Sequence, residues 1–174
     1  MKGNEILVLA KLIFNNNKEI SFEKLGKTLF LSASQIYYAA NSLAEKGLIR
    51  KQQAKKTTKF QILKNNCYDF FVCGMRYIFP LKKEAKYFGV ETLTTDLFKE
   101  GEKITGKETY VWPYAEGNSY GIGIVPIHKN IPKISLNDIQ LYRFFIILDF
   151  LRSNNPRDIL IGKKQLQLIF EKIK

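Results

Sequence analysis

The sequence holds a single histidine, His128, and that scarcity excludes metal sites built on several imidazoles. Cysteine is almost as scarce. Cys67 and Cys73 are too few for a disulfide framework, and on a helix their spacing sets them well apart around the axis, so they do not read as a ligand pair. Buried free thiols are expected at both positions. Long apolar runs are missing too. Ile6 to Ala10 is followed at once by Lys11, and Phe144 to Leu148 lies between Arg143 and Asp149. Neither approaches the roughly 20 residues needed to cross a bilayer. The first also lacks the length and cleavage site of a signal peptide, so a cytoplasmic protein with no membrane partner is expected. Acid is the last shortage: 16 Asp and Glu stand against 28 Lys and Arg, a formal charge of +12.

These shortages weaken every catalytic reading. His128, near Pro126, reads as structural or exposed, and nothing local pairs it with a cysteine nucleophile. Gly121-Ile122-Gly123 has no third glycine, no helix start and no phosphate-binding lysine in frame, so it reads as a turn or strand irregularity. Glu84, Glu91, Asp96, Glu100, Glu102 and Glu108 are scattered without metal-ligand spacing. The expectation is a protein that is not an enzyme and uses no metal and no cofactor.

What the chain does have is a globular composition, 45% hydrophobic and 25% charged, over 174 residues. Its positive charge is uneven. Residues 1–80 carry 13 Lys and Arg against 5 Asp and Glu, and between Glu45 and Asp69 there are seven basic residues and no acid. Such an excess speaks to partners rather than to fold.

Periodicity organises the first third. Residues 4–14 read as a helix with Ile6, Leu9, Ala10 and Ile13 on one face, ended by Asn15, Asn16 and Asn17. Ser21 caps a second helix to Phe30, with Phe22, Leu25 and Leu29 inward. Ser32 and Gln35 form a capping box that opens a third helix, with Ile36, Ala40, Leu43 and Ala44 inward and Gly47 as its left-handed cap. The pattern then changes to strand. Leu48–Lys51 and Thr58–Leu63 read as a β-hairpin, with Phe60 and Ile62 on one side and Arg50, Lys51, Lys55, Lys56 and Lys59 around its tip.

The remainder is less periodic. Asn65 or Asn66 caps a helix running to Phe79 before Pro80, and a short helix is expected near Thr92 to Phe98 among loops. Tyr110 to Val125 reads as a small hairpin turning at Glu116-Gly117-Asn118, despite three glycines and Pro113. The aromatics Tyr110, Trp112, Tyr114 and Tyr120 read as packing of this region, with a ligand pocket or protein interface as the alternative. Ser135 and Asp138 form a second capping box that opens a helix to about Arg152. Asn155-Pro156 opens a last one, with an Ile159, Leu166, Ile169 and Ile173 stripe.

The order helix, helix, turn, helix, basic hairpin is that of a winged helix-turn-helix, in which the third helix enters the major groove. Its outward polar positions, Ser34, Gln35, Tyr37, Tyr38, Asn41 and Ser42, with Ser32 at the cap, are candidate base and phosphate contacts. Gln and Asn suit adenine edges, and the lack of Arg or Lys before Lys46 argues against the commonest guanine contact. The basic hairpin would supply phosphate contacts and affinity.

Glu19 to Leu63 resembles winged helix-turn-helix regulators of the MarR-like kind. The residues that carry the resemblance are Ile20-Ser21, Leu25-Gly26, Leu31-Ser32, Ile36, Leu43, Glu45-Lys46-Gly47-Leu48-Ile49 and the basic hairpin. A fainter similarity to a group of bacterial regulators covers Phe70–Pro80, Val111-Trp112-Pro113, Leu141-Tyr142 and Asp149–Arg152. The resemblance implies a bacterial transcription regulator that binds double-stranded DNA. The long tail beyond the hairpin departs from the MarR-like pattern, so a homodimer and an effector pocket are not carried over from it.

The expected architecture is therefore α+β: a winged helix-turn-helix over 1–64, and a mainly helical C-terminal extension over 65–174 containing a small β-hairpin. The rival is an antitoxin-like or adaptor protein that binds a partner protein through 65–174. RNA binding through the hairpin is a lesser option. A homodimer stays open, supported only weakly by the wide apolar face of 136–152.

Overall fold

The computed structural model describes residues 1–15, 19–53, 58–98 and 108–173. The protein is α+β, with two small sheets among helices. It divides into two compact units, one made of Met1–Cys73 with Gln167–Lys174 and the other of Gly74–Leu166.

In the first unit α1 (Gly3–Asn15) buries Ile6, Leu7, Val8, Leu9, Ala10, Leu12 and Ile13. A helix this apolar on all sides has to sit inside rather than on a surface, so its inward face is wider than the four-residue stripe suggests. α2 (Phe22–Leu29) begins where Ser21 accepts a hydrogen bond from the Lys24 N–H at 3.2 Å. It ends on Phe30 in the left-handed region, at φ 54°. α3 (Ala33–Glu45) opens with the full Ser32–Gln35 capping box and buries Ile36, Ala39, Ala40 and Leu43. Ala44 is half-buried, and Ala39 takes its place in the stripe.

A three-stranded sheet follows, ordered β1 (Glu19–Ile20), β3 (Thr58–Ile62), β2 (Ile49–Gln53). The short β1 pairs Glu19 with Lys59 and Ile20 with Thr58. β2 and β3 are antiparallel in the register Ile49–Ile62 to Gln53–Thr58. Alternation puts Thr58, Phe60 and Ile62 inward and leaves Lys59 and Gln61 exposed.

The next helical stretch is α4 (Lys64–Asp69), a π-helical turn (Phe70–Gly74) and α5 (Met75–Ile78). No side chain caps it. Leu63 holds the cap position, and Asn66 instead donates from Nδ2 to the Gly47 carbonyl at 2.7 Å. The first unit extends past residue 64 because α4 packs within it: Cys67 is fully buried and its Sγ donates to the Leu48 carbonyl at 3.2 Å.

The cysteines differ in a way the sequence did not suggest. Burial pushes the Cys67 thiol up to about 12, whereas Cys73 is exposed. Under native conditions a maleimide should label Cys73 alone, and denaturation should release Cys67. Labelling of Cys67 at the rate of Cys73 would contradict this packing.

In the second unit β4 (Lys83–Thr92) is a ten-residue strand where loops and a short helix were expected. Residues 93–98 are bends and turns rather than helix. The expected Tyr110–Val125 hairpin is also replaced. β5 (Tyr110–Pro113) pairs antiparallel with Gly89–Thr92, and β6 (Ser119–Ile124) pairs antiparallel with Lys83–Gly89. β5 and β6 meet only in parallel, at Tyr110–Ile122 and Val111–Gly123, so the three strands close on one another. The glycines that weaken a strand reading are what permit this closure. A Cβ on Gly121 would lie 2.3 Å from the Thr109 carbonyl oxygen, closer than any side chain tolerates.

The C-terminal helices are α6 (Ile131–Asn137), α7 (Ile139–Arg152) and α8 (Pro156–Lys172). The Ser135–Asp138 capping box does not form. Ser135 lies inside α6, and Asp138 alone caps α7, accepting from the N–H groups of Gln140 and Leu141. α7 is buried without a break from Phe144 to Arg152 within the single chain, with Asp149 and Arg152 as its buried charges. In α8 the buried stripe is Gly162, Leu166 and Phe170, with Ile173 buried just past its end, and Ile159 and Ile169 are only half-buried.

Candidate nucleic-acid interface

The N-terminal half of α3 is a polar face without acid. Ser34, Gln35, Tyr37 and Tyr38 are exposed, Tyr38 at 70%. The face stays open because Ile36, Ala39, Ala40 and Leu43 use the opposite side for packing. Ser32 is exposed but occupied: its hydroxyl accepts from the Gln35 N–H at 3.2 Å and lies 2.9 Å from the Ser34 hydroxyl. Gln35 returns the contact, its Oε1 accepting from the Ser32 N–H at 2.9 Å.

Asn41 and Ser42 are half-buried, not open as their helical positions suggest. Ser42 turns towards α1, where its hydroxyl accepts a hydrogen bond from Lys46, and Lys46 also pairs with Glu5 at 2.9 Å. Burial raises the Glu5 pKa, but hydrogen bonds from Ser42, Lys46 and the Lys2 N–H outweigh it and hold the carboxyl below its ordinary value. Lys46 is thereby engaged beside α3. The cleft along this edge, about 800 Å³, is lined by Lys2, Asn4, Glu5, Gln35, Tyr38 and Ser42 among others.

The hairpin distributes its charges over two faces. Ile49 and Lys51 share the inner face, and Lys51 is half-buried there. Its ammonium donates to Asn41 Oδ1 and lies 5.4 Å from the centre of the Tyr37 ring. Tyr37 in turn meets Phe22 edge-on at 6.0 Å and Tyr38 at 5.6 Å. Arg50 and Lys59 lie on the exposed outer face, with Gln61 and Gln52 as their respective cross-strand partners. Arg50 is therefore at the base of the hairpin, three rungs from Gln53–Thr58, rather than at its tip. Lys55 and Lys56 lie outside the described residues. Sequence reasoning missed the link between Lys51 and Asn41. Its only signal was the period-two alternation that puts Lys51 on the face of Ile49.

Glu100 and Glu102 lie outside the described residues, and the other candidates stand apart from one another. His128 is half-buried, and its Nδ1 accepts from the Asn130 N–H at 3.0 Å. Burial, with the charge of Lys129, holds its pKa below the ordinary value. Gly121-Ile122-Gly123 lies within β6. Among the described residues no group of three or more His, Cys, Asp or Glu is placed to hold a metal ion. The four aromatics of the sheet region divide: Trp112 is fully buried, Tyr110 and Tyr114 are half-buried, and Tyr120 is exposed. No helix among the described residues is long and apolar enough to cross a membrane.

Comparison of the chain with protein-family models, with curated proteins and with solved structures finds no match.

Proposed function

We propose that residues 1–64 are a winged helix-turn-helix that binds duplex DNA, and that the chain is a transcription regulator. One observation carries the reading: the exposed polar face on the N-terminal half of α3 lies one turn from Asn41, which Lys51 joins to a basic hairpin. α3 is the element that would enter the major groove, α2 the one that would brace it, and β2–β3 the wing. The function is differential binding of one site over many, which needs no cofactor and no catalytic group.

The test is selection of bound duplexes from a random pool, with the salt dependence of the winners. Replacing Lys59, or Lys55 and Lys56 together, with Ala should weaken all duplexes alike. Each lost phosphate contact should flatten the log–log salt slope by about 0.9. An unchanged slope with altered sequence preference would count against the wing assignment.

A partner protein bound through the second unit is a second reading, and one observation favours it. Phe88 and Tyr120 are cross-strand neighbours, both exposed, with ring centres 5.0 Å apart. Stoichiometric co-purification from the native host, lost on changing both to Ser, would favour that reading over the first.

A further inference from the structure

Both amide side chains of α3 are held by groups that can only donate. The Ser32 N–H meets one end of the Gln35 amide, and the Lys51 ammonium meets one end of the Asn41 amide. A backbone N–H and an ammonium have no acceptor lone pair, so the atoms they meet are the amide oxygens. The chemistry of the partners therefore settles which way each amide points. The two NH2 groups are left over, and no acceptor among the described residues takes either.

This arrangement bears on the reading of bases. The contact that selects adenine needs both ends of one amide, the oxygen accepting from N6 and the nitrogen donating to N7. At Asn41 the oxygen is already turned to Lys51. A second donor reaching it would come up beside an ammonium, with positive hydrogens crowding one oxygen. Lys51 is also held in place, since it packs against the Tyr37 ring, which Phe22 supports in turn. Guanine, in contrast, shows two acceptors in the major groove, N7 and O6. An NH2 group, which only donates, can meet either of them, whereas it can meet only N7 of adenine. α3 has no Arg or Lys before Lys46 to make the usual guanine contact, and the NH2 of Asn41 offers an uncharged donor in its place.

We infer that Lys51 is a specificity-positioning residue. By occupying Asn41 Oδ1 it makes Asn41 a pure donor that reads guanine, where the residue type alone suggests adenine. This inference rests on the duplex-DNA reading above.

The experiment uses the full chain and a random duplex pool. The base pair read by Asn41 is the one whose preference disappears in Asn41→Ala. At that pair the wild type should favour guanine over adenine by about tenfold, and 7-deazaguanine should lose most of that advantage. Lys51→Met frees the oxygen and should move the preference towards adenine. Lys51→Arg, which also only donates, should keep guanine. Thermal melting checks that each variant is folded, and the wild-type and Lys51→Arg arms decide the matter if Lys51→Met is not. Sequence-selective binding with adenine at that pair, or an unchanged ratio in folded Lys51→Met, overturns this inference and leaves the DNA reading standing. No binding to any duplex overturns both.

Discussion

Replacing Asp149 with Ala should lower the stability of the chain by about 3–5 kcal/mol, the cost of leaving a buried charge without its partner. Asp149 and Arg152 are 1% and 2% exposed, and Arg152 Nε donates to Asp149 Oδ1 at 2.8 Å. The other carboxylate oxygen accepts from Thr92 Oγ1 and from Trp112 Nε1, each at 2.7 Å. Arg152 goes on to donate from Nη2 to the Val125 carbonyl at 2.6 Å. One carboxylate on α7 thus ties down β4, β5 and, through Arg152, the segment after β6. Its removal strands an arginine, an indole N–H and a hydroxyl in the interior at once. Urea denaturation followed by the emission of Trp112, the only tryptophan, reads the loss at its source. Asp149→Asn keeps an acceptor for the indole but no charge for Arg152, so it should fall between wild type and Ala. A change below about 1 kcal/mol in Asp149→Ala would show that the network contributes little to stability.

Gly26→Ala should destabilise the first unit and, if the proposed function holds, weaken duplex binding with it. Helix propensity predicts the opposite sign, because Ala for Gly inside a helix gains about 1 kcal/mol. The turn between α2 and α3 decides against propensity. A Cβ on Gly26 would lie 2.5 Å from the Leu31 carbonyl oxygen, a backbone atom that cannot swing aside. Leu31 is already pinned there by its N–H, which donates to the Gly26 carbonyl at 3.0 Å. Relief requires α3 to move away from α2, at an expected cost of about 1–3 kcal/mol. That shift carries the whole polar face of α3 with it. Chemical denaturation and duplex affinity, measured on one preparation, should fall together. A more stable variant with unchanged affinity would mean that propensity outweighs the contact.

The regions that were legible from sequence are those whose signals are local. Ser21 and the Ser32–Gln35 box announce α2 and α3 because a cap and the amides it satisfies lie within one turn. The Phe60–Ile62 alternation announces β3 because one face of that strand is buried. The face of α3 follows from the same periodicity, and so Ser34, Gln35, Tyr37 and Tyr38 were readable as exposed. Where burial does not alternate the signal fails. The first six residues of β4 are all exposed and are held by pairing with β6, which leaves no apolar rhythm. α1 and α7 were legible as helices, but their buried faces were not, since side chains buried all round leave no narrow stripe to read.

By itself the sequence determined the charge excess, the caps and the order in which a helix with a polar face is followed by a basic hairpin. Those properties depend on residue identity and on neighbours within a turn or a rung. Only the tertiary structure decided that Asp149 gathers Thr92, Trp112 and Arg152. It also decided that Lys51 turns inward to Asn41 while Arg50 and Lys59 face out. These contacts join residues on different elements, and no local rule specifies them. A polar side chain takes whichever partner packing brings within reach, because burial makes an unmet hydrogen bond costlier than any local preference.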